Sequence, residues 1–193
     1  MNCNDQDTCT ESPLGYKQTP WNVALFMAAL LNPKPFETVY DPSTGGGMLI
    51  KAVMTLYAPL HLIAGELNSA YWKYSPILSK DDKDQVSFYS GSLMDRKDIK
   101  TNYVIMNSPF KNKESFDHIR FVVDNNLKLG GRLVAFISRS DWENYVDTKC
   151  ADFKTWVYTF GTWNIIPVDK PDMTNPANCD KDALVLVFTK DSL

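Results

Sequence analysis

The chain has 193 residues, of which 44% are hydrophobic, and a formal net charge of −3. This length supports one sizeable core, so we expect a flexible lead at 1–14 and a single domain at 15–193, without a separate target-recognition domain. The weak negative charge excludes a global attraction to nucleic acid, so any such contact must be local. The longest apolar run, 23–31, is too short to span a bilayer, and we expect no membrane association.

The four cysteines show no close pairing in sequence; they are Cys3, Cys9, Cys150 and Cys179. Zinc sites and disulfide frameworks need such pairing, so we expect no metal. A reduced cytoplasmic compartment follows, either bacterial or that of the host cell of a virus. Of the two histidines, His61 lies in an apolar run and is expected in the core, whereas His118 lies among charged residues and is expected on the surface.

After the polar lead, we predict an apolar helix that opens at Thr19 and Pro20 and runs to Leu31, with Thr19 as its cap and Pro20 in its first turn. Short apolar runs then alternate with helical stretches, which is typical of a parallel sheet with helices on both faces. The predicted strands are 38–41, 61–66, 86–90, 103–107 and 133–138. The predicted helices are 46–58, 68–78, 115–129 and 141–154, the last with a capping box formed by Ser140 and Glu143.

The end of the chain has a different pattern. Two further strands, 163–168 and 183–189, are separated by a loop rich in Pro, Asp and Asn with no helix between them, so they should pair antiparallel at a sheet edge. We therefore predict an α/β fold with a mostly parallel seven-stranded sheet. The loop at 169–182 is the only sizeable insertion available for reading a target.

A glycine-rich turn follows the first predicted strand, which ends at Asp41. Gly45 and Gly47 let backbone amides approach a ligand closely. Glu66 ends the next strand, where doubly wound folds hold a carboxylate against ribose hydroxyls. The spacing Asp-Pro-x-x-Gly-x-Gly lacks the third glycine of dinucleotide enzymes. It indicates another nucleoside-bearing cofactor, with a purely structural glycine turn as the alternative.

The tetrapeptide Asn107, Ser108, Pro109 and Phe110 follows the apolar run 103–106. The amide oxygen of Asn107 and the carbonyl of Ser108 can accept the hydrogens of a planar amine, which localises the nitrogen lone pair. Phe110 can stack on the ring that bears the amine. With the cofactor loop, this pattern predicts methyl transfer to an amino group; a cofactor-binding fold with a degenerate centre is the alternative. No cysteine follows a proline, which argues against cytosine ring-carbon methylation.

These two motifs, in this order, resemble those of the S-adenosylmethionine-dependent amino-methyltransferases, especially the DNA N6-adenine methyltransferases, over most of 15–189. The resemblance implies a Rossmann-like class I methyltransferase fold with S-adenosyl-L-methionine as cofactor. It also implies methyl transfer to an adenine flipped out of DNA, with low or short sequence specificity. A specificity subunit or a homodimer would supply any longer target recognition.

The resemblance assigns cofactor contacts to nine residues: Gly15, Thr19, Pro20, Asp41, Gly45, Gly47, Glu66, Ser92 and Leu93. Two positions depart from the family pattern, which usually has an acidic or amide side chain at the position of Ser92 and proline at the position of Ser108. Ser108 restores a backbone donor and frees the preceding residue. Restoring proline at position 108 is therefore expected to maintain or raise activity.

Two segments are predicted to contact the substrate: one follows the catalytic motif, and the other comes just before the edge hairpin. Phe160 and Trp163 are candidates for a second ring against the flipped base, or else core residues. Lys111 and Lys113, together with Arg120, are candidates for phosphate contacts, or else part of a solvated helix face. The alternative functions are methylation of RNA or of a protein glutamine amide, and a catalytically impaired regulatory subunit or decoy that binds the cofactor.

Overall fold

Seven strands form one mixed sheet in the computed structural model, which describes residues 18–73, 75–168 and 183–191. The strands are β1 Thr38–Asp41, β2 His61–Glu66, β3 Val86–Ser90, β4 Thr101–Met106, β5 Leu127–Ser138, β6 Gly161–Pro167 and β7 Ala183–Lys190. Their order in the sheet is β3-β2-β1-β4-β5-β7-β6. β1 to β5 are parallel, whereas β7 is antiparallel to both β5 and β6. The predicted α/β sheet with an antiparallel edge hairpin is confirmed.

The helices connect the strands across both faces of the sheet. They are α1 Trp21–Leu31, α2 Met48–Leu56, α3 Ser69–Lys73, α4 Lys80–Asp84, α5 Glu114–Asn125, α6 Arg139–Trp142 and α7 Thr148–Phe160, with 3₁₀ turns at Leu93–Asp95 and Lys111–Lys113. Within the described ranges, no helix is both long enough and apolar enough to cross a membrane.

The predicted helix at 68–78 is only partly correct, because α3 has five residues and a second short helix, α4, follows it. Ser79 begins α4 with a capping box. Its hydroxyl accepts from the amide of Asp82 at 3.1 Å, and the Asp82 carboxylate accepts from the Ser79 amide at 2.9 Å. The spacing of Ser79 and Asp82 was a signal for this helix that sequence reasoning missed.

The predicted continuous helix at 141–154 is wrong, because α6 ends at Trp142 and α7 begins at Thr148. Asp147 starts the second helix, since its carboxylate accepts from the amide of Cys150 at 3.0 Å. Such a side-chain acceptor satisfies one of the free amides at a helix start, and it sets the boundary here.

The capping box predicted for Ser140 and Glu143 is also wrong. Ser138, the last residue of β5, caps α6 by accepting from the amide of Asp141 at 3.2 Å. The hydroxyl of Ser140 instead lies 2.9 Å from that of Ser138. The helix therefore begins directly at the strand end, which keeps the connection after β5 tight.

Alternating side chains of the strands divide the core between the two faces of the sheet. On β4, Val104 and Met106 join one cluster and Ile105 joins the other. The first cluster packs under α5 and α7, and the second packs under α1 and α2. Because both faces are covered, consecutive residues of the central strands are apolar, such as Val104 to Met106 of β4, as is typical of parallel sheets.

The histidine expectations are wrong for both residues. His61 begins β2 at the end of the strand and is exposed. His118 lies on α5 and is only partly exposed, and burial lowers the pKa of its imidazole below the usual value. His61 therefore faces solvent, whereas His118 lies on a helix whose buried face belongs to the core.

Aromatic rings organise the first cluster around Phe153 of α7, which is fully buried. Its ring stacks on Phe116 of α5 at a centroid distance of 4.0 Å and on Trp156 at 5.8 Å. The ring of Trp142 meets it edge-on at 6.4 Å. Phe153 of α7 therefore packs against both α5 and α6.

We expect Phe153→Ala to lower the free energy of unfolding by about 3–5 kcal/mol, because it removes a large buried ring and leaves a cavity. Denaturant titration followed by circular dichroism measures this change. Leu129→Ala is the control, since Leu129 is 66% exposed and a surface change costs about 0.5 kcal/mol or less. Equal losses in the two variants would contradict the central role of Phe153.

Candidate functional site

Three predicted site segments meet at the edge where the parallel strands end. β1 and β4 are neighbours in register, with Tyr40 opposite Val104, so the loops after Asp41 and after Met106 leave the sheet side by side. β2 flanks β1 on its other side and places Glu66 at the same edge. Open α/β sheets bind ligands at this edge, near a point where the strand order reverses.

The glycine turn between β1 and α2 requires glycine at Gly47. Gly47 has φ +88°, and a Cβ there would lie 2.5 Å from Cδ1 of Leu78 and 3.2 Å from Cζ3 of Trp72. Gly45 also has a positive φ, of 53°. The side chains of Leu78 and Trp72 therefore pack closely against the backbone of the turn. This backbone adopts a conformation that residues with a side chain rarely adopt.

The carboxylate of Glu66 holds this turn in place. Its Oε2 accepts from the amide of Gly45 at 2.8 Å, and its Oε1 accepts from the amide of Asn68 at 2.9 Å. The side chain is 8% exposed. Any contact with ribose hydroxyls would use the remaining lone pairs of these two oxygens.

Asp41 is a fully buried carboxyl group at the end of β1. Its Oδ1 accepts from the amide of Ser43 at 3.2 Å, whereas its Oδ2 has no hydrogen-bond partner among the described residues. Burial, and to a lesser degree the charge of Glu66, raises the pKa of Asp41 to about 8, against the opposing effects of the Ser43 amide and the Thr44 hydroxyl. A cationic group beside Oδ2 would restore the ionised form, so the arrangement suits a positively charged ligand group.

Asn107 is held by the start of α1. Its Nδ2 donates to the hydroxyl of Thr19 at 3.0 Å, and in the part of the chain that the structure describes its Oδ1 has no partner. The prediction that Thr19 caps α1 is wrong, since the N-cap residue is Pro20 and no side chain caps the helix. The Thr19 hydroxyl binds the amide of Asn107 instead, which leaves the amide oxygen as the available acceptor.

The other residues of the tetrapeptide pack differently from one another. Ser108 is 3% exposed, and its Oγ lies 3.1 Å from Oγ of Ser43 in the cofactor turn. Phe110 is partly buried against the cluster under α1 and α2, and Pro109 is half-buried. Sequence reasoning missed Ser43, because nothing in its local pattern distinguishes it from an ordinary turn serine.

The turn after β3 contains the predicted adenine contacts. The hydroxyl of Ser92 accepts from the amide of Met94 at 3.2 Å and begins a 3₁₀ turn, so it remains able to donate. Leu93 is 6% exposed and belongs to the core, which leaves its backbone rather than its side chain for a ligand. A Cβ at Gly91 would meet nothing within 4 Å, so the space beside this turn is open among the described residues.

Two exposed apolar side chains at the same edge were not predicted. Leu67 follows Glu66 and is 63% exposed, and Met94 follows Ser92 and is 41% exposed. They come after neighbouring parallel strands, β2 and β3. Exposed apolar groups beside a carboxylate and a hydroxyl suit a flat ring with polar edges.

The structure does not bring Phe160 and Trp163 to this site. Trp163 lies opposite Phe188 on β7, which lies opposite Leu133, well before β5 ends. Phe160 ends α7 at the opposite edge of the sheet, and its ring packs against the first core cluster. Because β6 runs in the same direction as β1 to β5, it begins at the edge opposite to the one where those strands end, far from Asn107. Local spacing did not reveal this.

Two of the three predicted phosphate contacts are already engaged. Nζ of Lys113 lies 2.8 Å from Oδ2 of Asp147, an ion pair that raises the pKa of Lys113 and lowers that of Asp147 to about 2. The guanidinium of Arg120 lies over the ring of Trp156 at 5.8 Å. Lys111 is exposed.

Two predicted features, Gly15 and the loop at 169–182, lie outside the described residues. Within those residues, no group of three or more metal-ligating side chains occurs. Cys150 is buried and unpaired, and burial raises the pKa of its thiol to about 11.

No protein-family model matches the chain, and no curated protein matches it. Solved structures do match. A putative class I S-adenosylmethionine-dependent methyltransferase from Listeria monocytogenes has a TM-score of 0.67 and 13% identity; the match covers 91% of this chain and 61% of that one. The chain therefore spans less than two thirds of that protein.

Two further matches cover nearly the whole of both chains. Precorrin-6y C5,15-methyltransferase from Geobacter metallireducens has a TM-score of 0.64 and 16% identity over 97% of this chain and 95% of that one. An RNA methyltransferase from Salinibacter ruber, in complex with S-adenosyl-L-homocysteine, has a TM-score of 0.61 and 14% identity over 92% and 95%. At these identities the likeness shows the fold, which is the predicted Rossmann-like class I methyltransferase fold.

We expect stability to fall with rising pH because of Asp41. The folded chain keeps this proton up to a pKa of about 8, whereas the unfolded chain releases it near 3.8. Between these values the folded state binds more protons, so the free energy of unfolding decreases by up to about 1.4 kcal/mol per pH unit from this group.

Asp41→Asn removes this titration, so the stability of the variant relative to the unaltered chain should rise between pH 5 and 8. Denaturant titrations at several pH values measure the difference. Asp84→Asn is the matched control for the loss of a carboxyl group, since Asp84 is exposed on α4. A pH-independent difference for Asp41→Asn would contradict a buried, protonated Asp41.

Proposed function

We propose that the chain binds S-adenosyl-L-methionine at the edge where its parallel strands end and methylates the exocyclic amino group of adenine in DNA. The observation that carries this proposal is Asn107, whose amide nitrogen donates to Thr19 beside the glycine turn, while no described residue donates to its oxygen. The methyltransferase structures that share the fold, one of them with S-adenosyl-L-homocysteine bound, support the cofactor class.

The chain offers a suitable group for each part of the cofactor. In this proposal, the unpartnered Oδ2 of Asp41 receives the ammonium of the methionine moiety, because an opposite charge compensates the burial of the carboxylate. Glu66 receives the ribose hydroxyls. Leu67 and Met94 contact the adenine ring, with the hydroxyl of Ser92 at its polar edge. When bound, the cofactor supplies a methyl group activated by a sulfonium.

The amine is positioned by two acceptors. The lone pair of an adenine amino group is delocalised into its ring, so the nitrogen is a poor nucleophile until its hydrogens are held. Oδ1 of Asn107 and the backbone carbonyl of Ser108 accept these two hydrogens, which favours a pyramidal nitrogen with its lone pair directed at the methyl donor. The proton released after transfer passes to solvent.

A base inside a duplex cannot reach this edge, so DNA as substrate requires that adenine leave the stack. Phe110 is the ring of the tetrapeptide that we assign to stacking on the base. Trp21, which is 41% exposed and lies two residues after Thr19, is the second candidate ring in place of Phe160 and Trp163. Of the predicted cations, Lys111 is available for a phosphate, and a specificity subunit or second copy would add further contacts.

We expect Asn107→Ala to reduce methyl transfer by at least about 100-fold, since removing one preorganised polar contact to a transition state has this effect. Binding of S-adenosylhomocysteine, measured by calorimetry, should stay nearly unchanged, because Asn107 contacts the acceptor. Asn164→Ala on the exposed edge strand β6 is the matched control and should keep full activity. Unchanged activity in Asn107→Ala would refute the assigned role.

The substrate is tested by offering unmethylated duplex DNA, RNA and a protein extract with radiolabelled S-adenosylmethionine. We expect label in DNA, recovered as N6-methyladenine after digestion. Transfer to RNA or to protein glutamine alone would overturn the DNA assignment. Cofactor binding without transfer to any of them would favour the regulatory-subunit or decoy alternative, and absence of binding would end the methyltransferase proposal.

A further inference from the structure

We infer that Ser43 and Ser108 form a positioning pair that aligns the amine-binding loop with the cofactor turn, and this inference rests on the proposed function. Their hydroxyls are 3.1 Å apart although the residues are 65 positions apart in sequence. One hydroxyl comes from the turn after β1 and the other from the loop after β4. Among the hydrogen bonds of the described side chains, this one joins the two loops directly.

Each serine is also held within its own loop. The amide of Ser43 donates to Oδ1 of Asp41 at 3.2 Å, which ties Ser43 to the carboxyl that we assign to the cofactor. Ser108 is 3% exposed, so its side chain has little freedom to turn toward solvent. A hydrogen bond between two groups already held in this way costs little further ordering entropy.

The pair explains how a serine can replace the proline usual at this position. Proline would stiffen the loop through its ring but has no hydroxyl, so it could not reach Ser43. The bond to Ser43 holds the side chain of Ser108 and thereby the direction of its backbone carbonyl, the second acceptor for the amine. Rigidity that a proline would provide within the loop comes here from a contact between loops.

If the serine pair positions the loop, proline at position 108 should lower activity, contrary to the expectation from the family pattern. Ser108→Pro removes the inter-loop hydrogen bond and leaves the hydroxyl of Ser43 without its partner. Ser43 is partly exposed, so its hydroxyl would turn to water, and the loop after β4 would lose its tie to the cofactor turn. We therefore expect Ser108→Pro to lower the rate of transfer.

The test is a double-mutant cycle of Ser43→Ala and Ser108→Ala, with kcat and KM measured on unmethylated duplex DNA and S-adenosylmethionine. We expect each single variant to lower kcat about tenfold, the size expected for one hydrogen bond, with a smaller change in either KM. The double variant should lose no more than a single one, because both changes remove the same bond. Ser43→Thr keeps a hydroxyl and should retain most of kcat.

Ser79→Ala is the matched control, because it also removes a serine hydroxyl that accepts a hydrogen bond, but at the start of α4. It should lower stability without lowering kcat. Circular dichroism establishes that each variant is folded, and Ser108→Ala removes the same bond should Ser43→Ala fail to fold. Single variants with the kcat of Ser79→Ala, or losses that multiply in the double variant, would overturn the inference.

Failure of the inference differs from failure of the proposed function. If only the inference fails, the unaltered chain binds S-adenosylhomocysteine in calorimetry and methylates DNA, while the serine variants do the same. If the unaltered chain neither binds nor transfers, the proposed function fails, and the positioning role fails with it.

Discussion

The parallel pairing of β1 with β4 is the constraint on which the site depends. The two strands are adjacent and end together, so the turn that starts at Asp41 and the loop that starts at Asn107 leave the sheet next to each other. Core packing on both faces holds this pair of strands in register, since a slip by one residue would place side chains of the wrong size against the helices on each face. The chemistry of the edge therefore depends on the burial of residues that never contact a ligand.

Several polar groups are buried at this edge. Thr19, Asp41, Thr44, Glu66 and Ser108 are each less than a tenth exposed. Burying polar groups is unfavourable unless hydrogen bonds compensate, and most of these form such bonds between segments distant in sequence. Asp41 keeps one oxygen without a hydrogen bond among the described residues, which a ligand group at this edge would complete.

The strands and the glycine turn could be predicted because their signals are local. The alternation of apolar runs with helical stretches predicted the parallel sheet, and β1 to β3 have the predicted bounds. Helix boundaries were less accurate. The break between α6 and α7 depends on the Asp147 cap, and α4 depends on a short capping box at Ser79. In the sequence, each of these short polar signals is weaker than the longer apolar pattern that predicts one continuous helix.

The amino-acid sequence by itself determined the class of fold, the turn through Gly47 and the position of Asn107 at a strand end, because each follows from neighbours within a few residues. Tertiary structure alone decided the partners of the side chains. Thr19 binds Asn107 and Ser43 binds Ser108 across more than sixty residues. β6 likewise begins at the opposite edge of the sheet, which places Trp163 away from the site. Local periodicity has no information on such contacts, since they arise only when strands from different parts of the chain pair.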